Sequence, residues 1–303
     1  MARAKRKSTR QQRDVYAEIT NQIIEAIEAG EGEPVMPWAR PDFAIHMPTN
    51  VASGNAYNGV NVIGLWATAM VREYSEGLWG TYRQWQAKGA QVRKGEKGAL
   101  AIFYKQIESK DDAQSDQGDG DNEDNQRRFF ARASTVFNVS QVDGYEAQSA
   151  AREPSEIEPC QAAEAAIAAT GAVIEVGGTR AFYSRSTDKI TMPDRELFTG
   201  TETMNASESW YGTLLHEVTH WSGASHRLDR TFGEKFGDDA YAMEELVAEI
   251  GAAFLCSRLG VSIEPRADHA AYIGHWLRIM KGDSKAIFTA SSQAGKAANY
   301  ILG

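Results

Sequence analysis

Cysteine is scarce in this chain: Cys160 and Cys256 are its only two, far apart and outside any CxxC pair. That excludes a disulfide scaffold or a thiolate metal cluster as the organising principle, and makes a reducing cytosol the expected setting. Long apolar runs are missing as well. No stretch approaches the ~20 residues needed to span a bilayer, so no membrane partner is expected. The basic start, MARAKRKSTRQQR, leads into no apolar segment of the kind that directs secretion. What the chain does have is an apolar share of 42%, ample for ordinary hydrophobic cores. Its 303 residues predict two domains or one large one.

The net charge of −9 is unevenly spread. Residues 109–126, SKDDAQSDQGDGDNEDNQ, hold seven acids against Lys110, which is −6 of that total in a segment with no apolar side chain beyond Ala113. Such a stretch buries too little surface to offset its ordering entropy and reads as a solvated insert. Residues 1–108 carry 14 Lys or Arg against 11 Asp or Glu, concentrated at Arg3 to Arg13 and Arg83 to Lys97. An acidic total therefore does not argue against a nucleic-acid partner.

Periodicity places the elements. Val15, Ile19, Ile23 and Ile27 predict an amphipathic helix over 14–29, with further helices over 61–76 and 81–88. Strands over 98–107 and 128–140 would form one hairpin around the acidic insert. After 147–158, an Ala-rich helix is expected at 159–170. Short strands follow near 172–176, 180–183 and 188–191, then helices at about 205–222, 239–258, 267–280 and 284–301. The expected fold class is α+β in two domains: a basic arm (1–13), an α+β unit (14–146), a linker (147–158), and a mainly helical unit with a small sheet (159–303).

The chemistry concentrates in LLHEVTHWSG, residues 214–223. His216 and His220 are four apart, so on a helix both imidazoles leave one face about a turn apart and can share one Zn²⁺, or another divalent ion, at ~2.1 Å each. Glu217 lies beside the first histidine, where it can take a proton from water activated at the metal. Gly223 falls where a left-handed cap would end the helix. A third ligand is required, and YAMEELVAEIGAAFLC offers Glu245, with Glu249 four residues on to hold a histidine tautomer. Glu244, about 100° away around the helix, is the rival. His226 reads as rim or loop. Tyr272 and His275 are either oxyanion donors in the cleft or helix-packing residues, and His46 has no visible partner.

The first half also holds Trp38, Trp66, Trp79 and Trp85, with Tyr57, Tyr74, Tyr82 and Tyr104. Interleaved with Arg83, Lys88, Arg93, Lys94, Lys97 and Lys105, these fit a single-strand nucleic-acid surface, where rings stack on bases and cations follow phosphates. Aromatics are also ordinary core residues, so both readings stand. RKGEKG is glycine-bounded but lacks the spacing of a Walker motif.

Four runs, RDVYAEITNQIIEAIEAG, MPTNVASGNAYNGVNVIGLW, WGTYRQWQAKGAQVRKGEKG and FNVSQVDG, resemble the N-terminal domain of ArdC-type antirestriction proteins. AFYSRSTDKITMPDRELF, WYGTLLHEVTHWSGASHRLDR and the tail from AAYIGHWLRIM onward are similar to the zincin-type metallopeptidase domain of the same proteins. The likeness runs from about Arg13 to Leu302. It implies a bacterial, cytoplasmic protein of a conjugative plasmid or other mobile element, with delivery to the recipient during conjugation as one route. It further implies binding of single-stranded DNA by the N-terminal domain, protection of incoming DNA from host restriction, and a gluzincin-like second domain. His216, Glu217 and His220 map onto the family's zinc motif, and Glu245 onto the third ligand. The competing expectation is a DNA-recruited zinc endopeptidase that cuts DNA-associated proteins, a host restriction endonuclease among them. The blander one is a metal-stabilised binding module without turnover.

Overall fold

The structure is a computed structural model, and it describes residues 14–29, 36, 46–106, 129–145, 159–199, 204–233, 239–261 and 270–303. The expected basic arm (1–13), acidic insert (109–126), linker (147–158) and Trp38 lie outside the described residues. In chain order the first half runs α1 (Val15–Glu28), β1 (Thr49–Asn50), α2 (Val60–Val71), β2 (Leu78–Thr81), α3 (Tyr82–Ala87), β3 (Gln91–Val92), β4 (Ala99–Gln106), β5 (Phe129–Asn138) and β6 (Val142–Asp143). The second half follows with α4 (Pro159–Thr170), β7 (Val173–Val176), β8 (Phe182–Ser184), β9 (Lys189–Met192), α5 (Ala206–Ser222), α6 (Asp239–Leu259), α7 (Ala270–Gly282) and α8 (Ala286–Leu302).

The expected hairpin is present: β4 and β5 pair antiparallel from Ala99 opposite Val136 to Gln106 opposite Phe129. They belong to a four-stranded sheet ordered β1-β2-β5-β4, in which β1 and β2 are parallel. Neither of those two short strands was expected from the sequence: β1 has two residues and β2 four, too few for a periodicity to mark them. The helix expected over 61–76 stops at Val71, because Glu73 turns left-handed at φ 54° and the Tyr74 N–H closes back on the Ala69 carbonyl at 2.9 Å. In the second half β7, β9 and β8 form a separate three-stranded sheet.

One buried cluster includes residues of both halves. Trp66 of α2 packs against Phe254 of α6 with ring centroids 5.8 Å apart, and Tyr16 of α1 meets Phe288 of α8 at 4.7 Å. The Thr20 hydroxyl donates to the Ser284 carbonyl at 2.7 Å. Apolar burial thus runs continuously from α1 and α2 into α5, α6 and α8.

Two helices carry the site. An Asn205–Glu208 capping box starts α5: Asn205 accepts from the Glu208 N–H at 2.9 Å, and Glu208 accepts from the Asn205 N–H at 3.0 Å. That fixes where the helix begins and which face later residues occupy. Helix α6 is buried along most of its length, and Gly251 packs tightly against α5: a Cβ there would lie 2.5 Å from Thr219 Cγ2. Gly251→Ala should therefore push the helices apart. The overpacking cost is about 1–3 kcal/mol, offset by alanine's better helix propensity of ~1 kcal/mol. We expect a stability loss of about 1 kcal/mol but a larger loss of metal affinity, about tenfold, because the site spans the two helices. Thermal unfolding and a chelator-competition titration read the two effects, and adding Thr219→Ser, which deletes the clashing methyl, should restore both. Unchanged metal affinity in the single variant would show that this contact does not set the site.

Candidate metal centre

His216 and His220 leave the buried face of α5, and their Nε2 atoms lie 3.1 Å apart. Glu245 of α6 reaches over both: its carboxylate oxygens are 3.4 Å from His216 Nε2 and 3.5 Å from His220 Nε2. One ligand atom from each of the three residues falls within 4.8 Å of the others. The far nitrogens face carboxylates. His220 Nδ1 is 3.1 Å from Glu244 Oε1, and His216 Nδ1 is 3.6 Å from Glu249 Oε2. A proton on each Nδ1, donated to Glu244 by His220 and facing the Glu249 carboxylate beyond hydrogen-bond distance in His216, leaves a lone pair on each Nε2. Two imidazole lone pairs and a carboxylate then converge in one buried pocket with no donor among the three converging atoms. Such a set repels itself unless a cation sits in it, and nitrogen with carboxylate oxygen suits a zinc-like divalent ion.

The electrostatics agree. Burial alone would drive the His220 imidazolium to lose its proton, yet the hydrogen-bonded carboxylates of Glu244 and Glu245 outweigh it and raise its pKa to about 10. Burial likewise disfavours the charged forms of Glu245 and Glu244. His216 and His220 hold the first, and His220 with Arg230 the second, below the usual carboxylate range. The pocket demands positive charge, which a proton on His220 or a divalent cation on the two Nε2 atoms would each meet.

Behind this cluster stands a residue the sequence reading did not single out. Arg230 is buried and forks onto Glu244, with Nε at 3.0 Å from Oε2 and Nη2 at 2.8 Å from Oε1. It also donates to Ser222 Oγ at 2.9 Å and to the Thr219 carbonyl. Glu244, the weighed rival for third ligand, links Arg230 to His220, while Glu245 faces the two Nε2 atoms. The loop after α5 brings Arg230 back. Asp229 turns left-handed at φ 48°, and the Arg230 N–H donates to the Gly223 carbonyl at 2.9 Å. Gly223 ends α5 at φ −81°, not in the expected left-handed cap. Its glycine is needed for space instead, since a Cβ there would lie 2.7 Å from Arg230 Nη2.

Glu217 is buried on α5 beside His216. His226 lies on the exposed rim, 3.3 Å from Asp188. His275 pairs with Asp239, at the start of α6, at 2.8 Å and is not among the three converging residues. Tyr272 lies in α7, but its side chain is outside the described residues. Among the expected DNA contacts, Trp85 must be corrected: it is 0% exposed, its indole N–H donates to the Phe137 carbonyl at 3.0 Å, and no base can stack on it. Tyr57 is mostly buried too, its hydroxyl accepting from Asn50 Nδ2 at 2.9 Å. Arg83, Lys88, Lys94 and Lys97 are exposed. Arg93 is exposed but engaged, with ion pairs to Glu96 at 3.0 Å and Asp143 at 3.4 Å that raise its pKa.

Comparison with known proteins agrees with this geometry. Residues 161–293 match a family described as zincin-like metallopeptidase, and residues 13–137 one described as the N-terminal domain of anti-restriction factor ArdC. Two crystal structures of the antirestriction protein ArdC from plasmid R388, one metal-free and one Mn(II)-bound, are 38% and 37% identical to this chain. Each superposes with a TM-score of 0.73 over 95% of this chain and 97% of its own. Protein y4eC of Sinorhizobium fredii (strain NBRC 101917 / NGR234) is 46% identical over 288 residues, 95% of this chain and 91% of y4eC. Two DNA primases TraC of Escherichia coli are 36% and 35% identical over 94% and 95% of this chain, which spans only 19% and 27% of their lengths.

Proposed function

We propose, from the premise that this chain belongs to the ArdC antirestriction family, that it binds single-stranded DNA and shields incoming DNA from host restriction. On this reading it acts in the cytoplasm of a bacterial cell, through an N-terminal unit over 14–146 and a metallopeptidase-type unit over 159–303. Among the described residues no helix is long and apolar enough to cross a membrane. The observation that carries the metal half of the reading is the buried, all-acceptor cluster of His216, His220 and Glu245 with carboxylates behind both imidazoles.

In that cluster the two Nε2 atoms and the Glu245 carboxylate would hold the ion, with Glu244 and Glu249 orienting the imidazoles. A bound divalent ion supplies Lewis acidity toward a water and a scissile carbonyl. Glu217 is the general base in this scheme: it takes the water's proton and passes it to the leaving nitrogen. Substrates would be proteins met on DNA, a restriction endonuclease among them. The decisive experiment is restriction protection of single-stranded DNA by wild type and Glu217→Ala at matched folding and metal content. Equal protection means that coating the strand suffices and the metal centre serves another purpose. Protection by wild type alone makes hydrolysis part of the mechanism. Failure of both proteins to protect or to bind the strand would overturn the reading.

A further inference from the structure

A cavity of about 820 Å³ opens where the first half meets α6 and α8, well apart from the metal ligands. From Glu245 to Arg258 on α6 is thirteen residues, about 20 Å along the axis at 1.5 Å per residue. The floor of the cavity is core: Phe254, Phe288 and Val62 line it and are buried. Its rim is open, with Ser53, Asn55, Asn58, Ser292 and Asn299 exposed.

Three features of the lining point to one kind of occupant. First, the charged residues that line it are Arg258 and Lys296, and among the described residues no carboxylate lines it. Arg258 donates to the neutral Asn299 Oδ1 at 2.7 Å, and among the described residues neither cation makes an ion pair. Second, Phe103 of β4 is 43% exposed at the rim, large for a phenylalanine, and its ring lies 6.3 Å from that of Tyr57. Third, amides crowd the first-half wall. Asn50 and Gln84 bond each other at 3.3 and 3.2 Å, and Asn61 is clamped to the Ile102 backbone at 2.8 and 2.7 Å, which holds β4 and so Phe103 in place. Unneutralised cations, an exposed ring and amide edges are what a single strand uses: phosphate, base face and base edge. The volume falls inside the ~300–1,000 Å³ range of small-molecule sites, room for about two nucleotides.

We infer that this cleft is the single-strand groove, with Phe103 from the N-terminal half meeting the bases, Tyr57 backing that ring from the core, and Arg258 and Lys296 from the C-terminal half meeting the phosphates. The inference rests on the single-strand reading above and relocates part of it: the metallopeptidase-type half supplies the cations that hold the strand. Gly295 of α8 offers a clean way to close the groove. It lines the cavity, and a Cβ built on it meets no atom within 4 Å, so a larger side chain projects into open space.

Fluorescence anisotropy of labelled thymidine oligonucleotides of increasing length, titrated across salt on the full chain, tests this. Arg258→Gln with Lys296→Gln should reduce the log–log salt slope by about 1.4, two phosphates at ~0.7 each. Phe103→Ala should weaken binding about tenfold. Gly295→Leu should weaken it comparably while the melting temperature holds or rises, since leucine is the better helix former. Wild-type affinity in all three variants, with loss on Arg83→Ala and Lys94→Ala instead, would overturn the groove and leave single-strand binding intact. Tight binding of thymidine monophosphate with no gain for longer oligonucleotides would replace the strand by a mononucleotide. A wild type that binds no single strand at any salt would bring down the parent reading and the groove with it.

Discussion

Glu217→Gln should lower hydrolysis of a DNA-bound protein, or of the chain itself, by about two to four orders of magnitude, the usual contribution of a positioned general base. The change removes one charge and one proton acceptor but keeps shape, so the fold and the bound-metal content should match wild type. Glu217 is buried beside His216 on the helix that supplies two of the three converging ligand atoms. It is not one of the three residues whose ligand atoms converge. Mass spectrometry of products, with metal content measured on the same samples, separates the possibilities. Intact hydrolysis at wild-type metal content would place the base elsewhere. Loss of metal together with hydrolysis would make Glu217 part of the ion's binding set. Should wild type yield no product under any condition while His216→Ala lowers the melting temperature, the metal is structural.

Arg230→Met is expected to be the most destabilising single change near the site, at about 3–5 kcal/mol, the range for breaking a buried ion pair from one side. Arg230 and Glu244 are both buried, and the guanidinium meets the carboxylate through two hydrogen bonds while also satisfying Ser222 and the Thr219 carbonyl. Removing it strands the Glu244 charge beside His220. The same change should weaken metal binding ten- to a hundredfold, because Glu244 would no longer be held in line with His220 Nδ1. A double variant, Arg230→Met with Glu244→Gln, takes away the stranded charge and should recover a large share of the stability. Chemical denaturation and chelator competition measure both effects. A loss under ~1 kcal/mol in the single variant, the scale of an exposed pair, would refute this account.

Most elements were legible because their signals are local. Ile19, Ile23 and Ile27 sit on one face by spacing alone, and all three are buried. The β4–β5 hairpin was marked by two strand-like runs either side of the acidic insert. The Asn205–Glu208 box was legible in principle, as a capping residue followed three positions later by Glu. The short strands β7, β8 and β9 were expected, but β1, with two residues, and β2, with Gly80 inside it, carry too little pattern to register.

Trp85 shows the limit for function. An aromatic among lysines reads equally as a stacking platform or as core, and only its 0% exposure decides. Phe103 is the reverse case: it sits in an apolar strand run and reads as core, yet it stands exposed at the rim of the cleft.

By itself, the sequence determined that His216 and His220 share a helix face with Glu217 between them, since helical geometry follows from spacing within one element. It also narrowed the third ligand to adjacent glutamates. Only the tertiary structure shows which of them faces the two Nε2 atoms. Helix α6 is buried nearly all round, so its apolar pattern has no single face to indicate which side meets α5. The close approach at Gly251 and Thr219 sets that rotation. It turns Glu245 onto the two Nε2 atoms and Glu244 onto Arg230, a partner returned by a left-handed turn at Asp229 that no periodicity records.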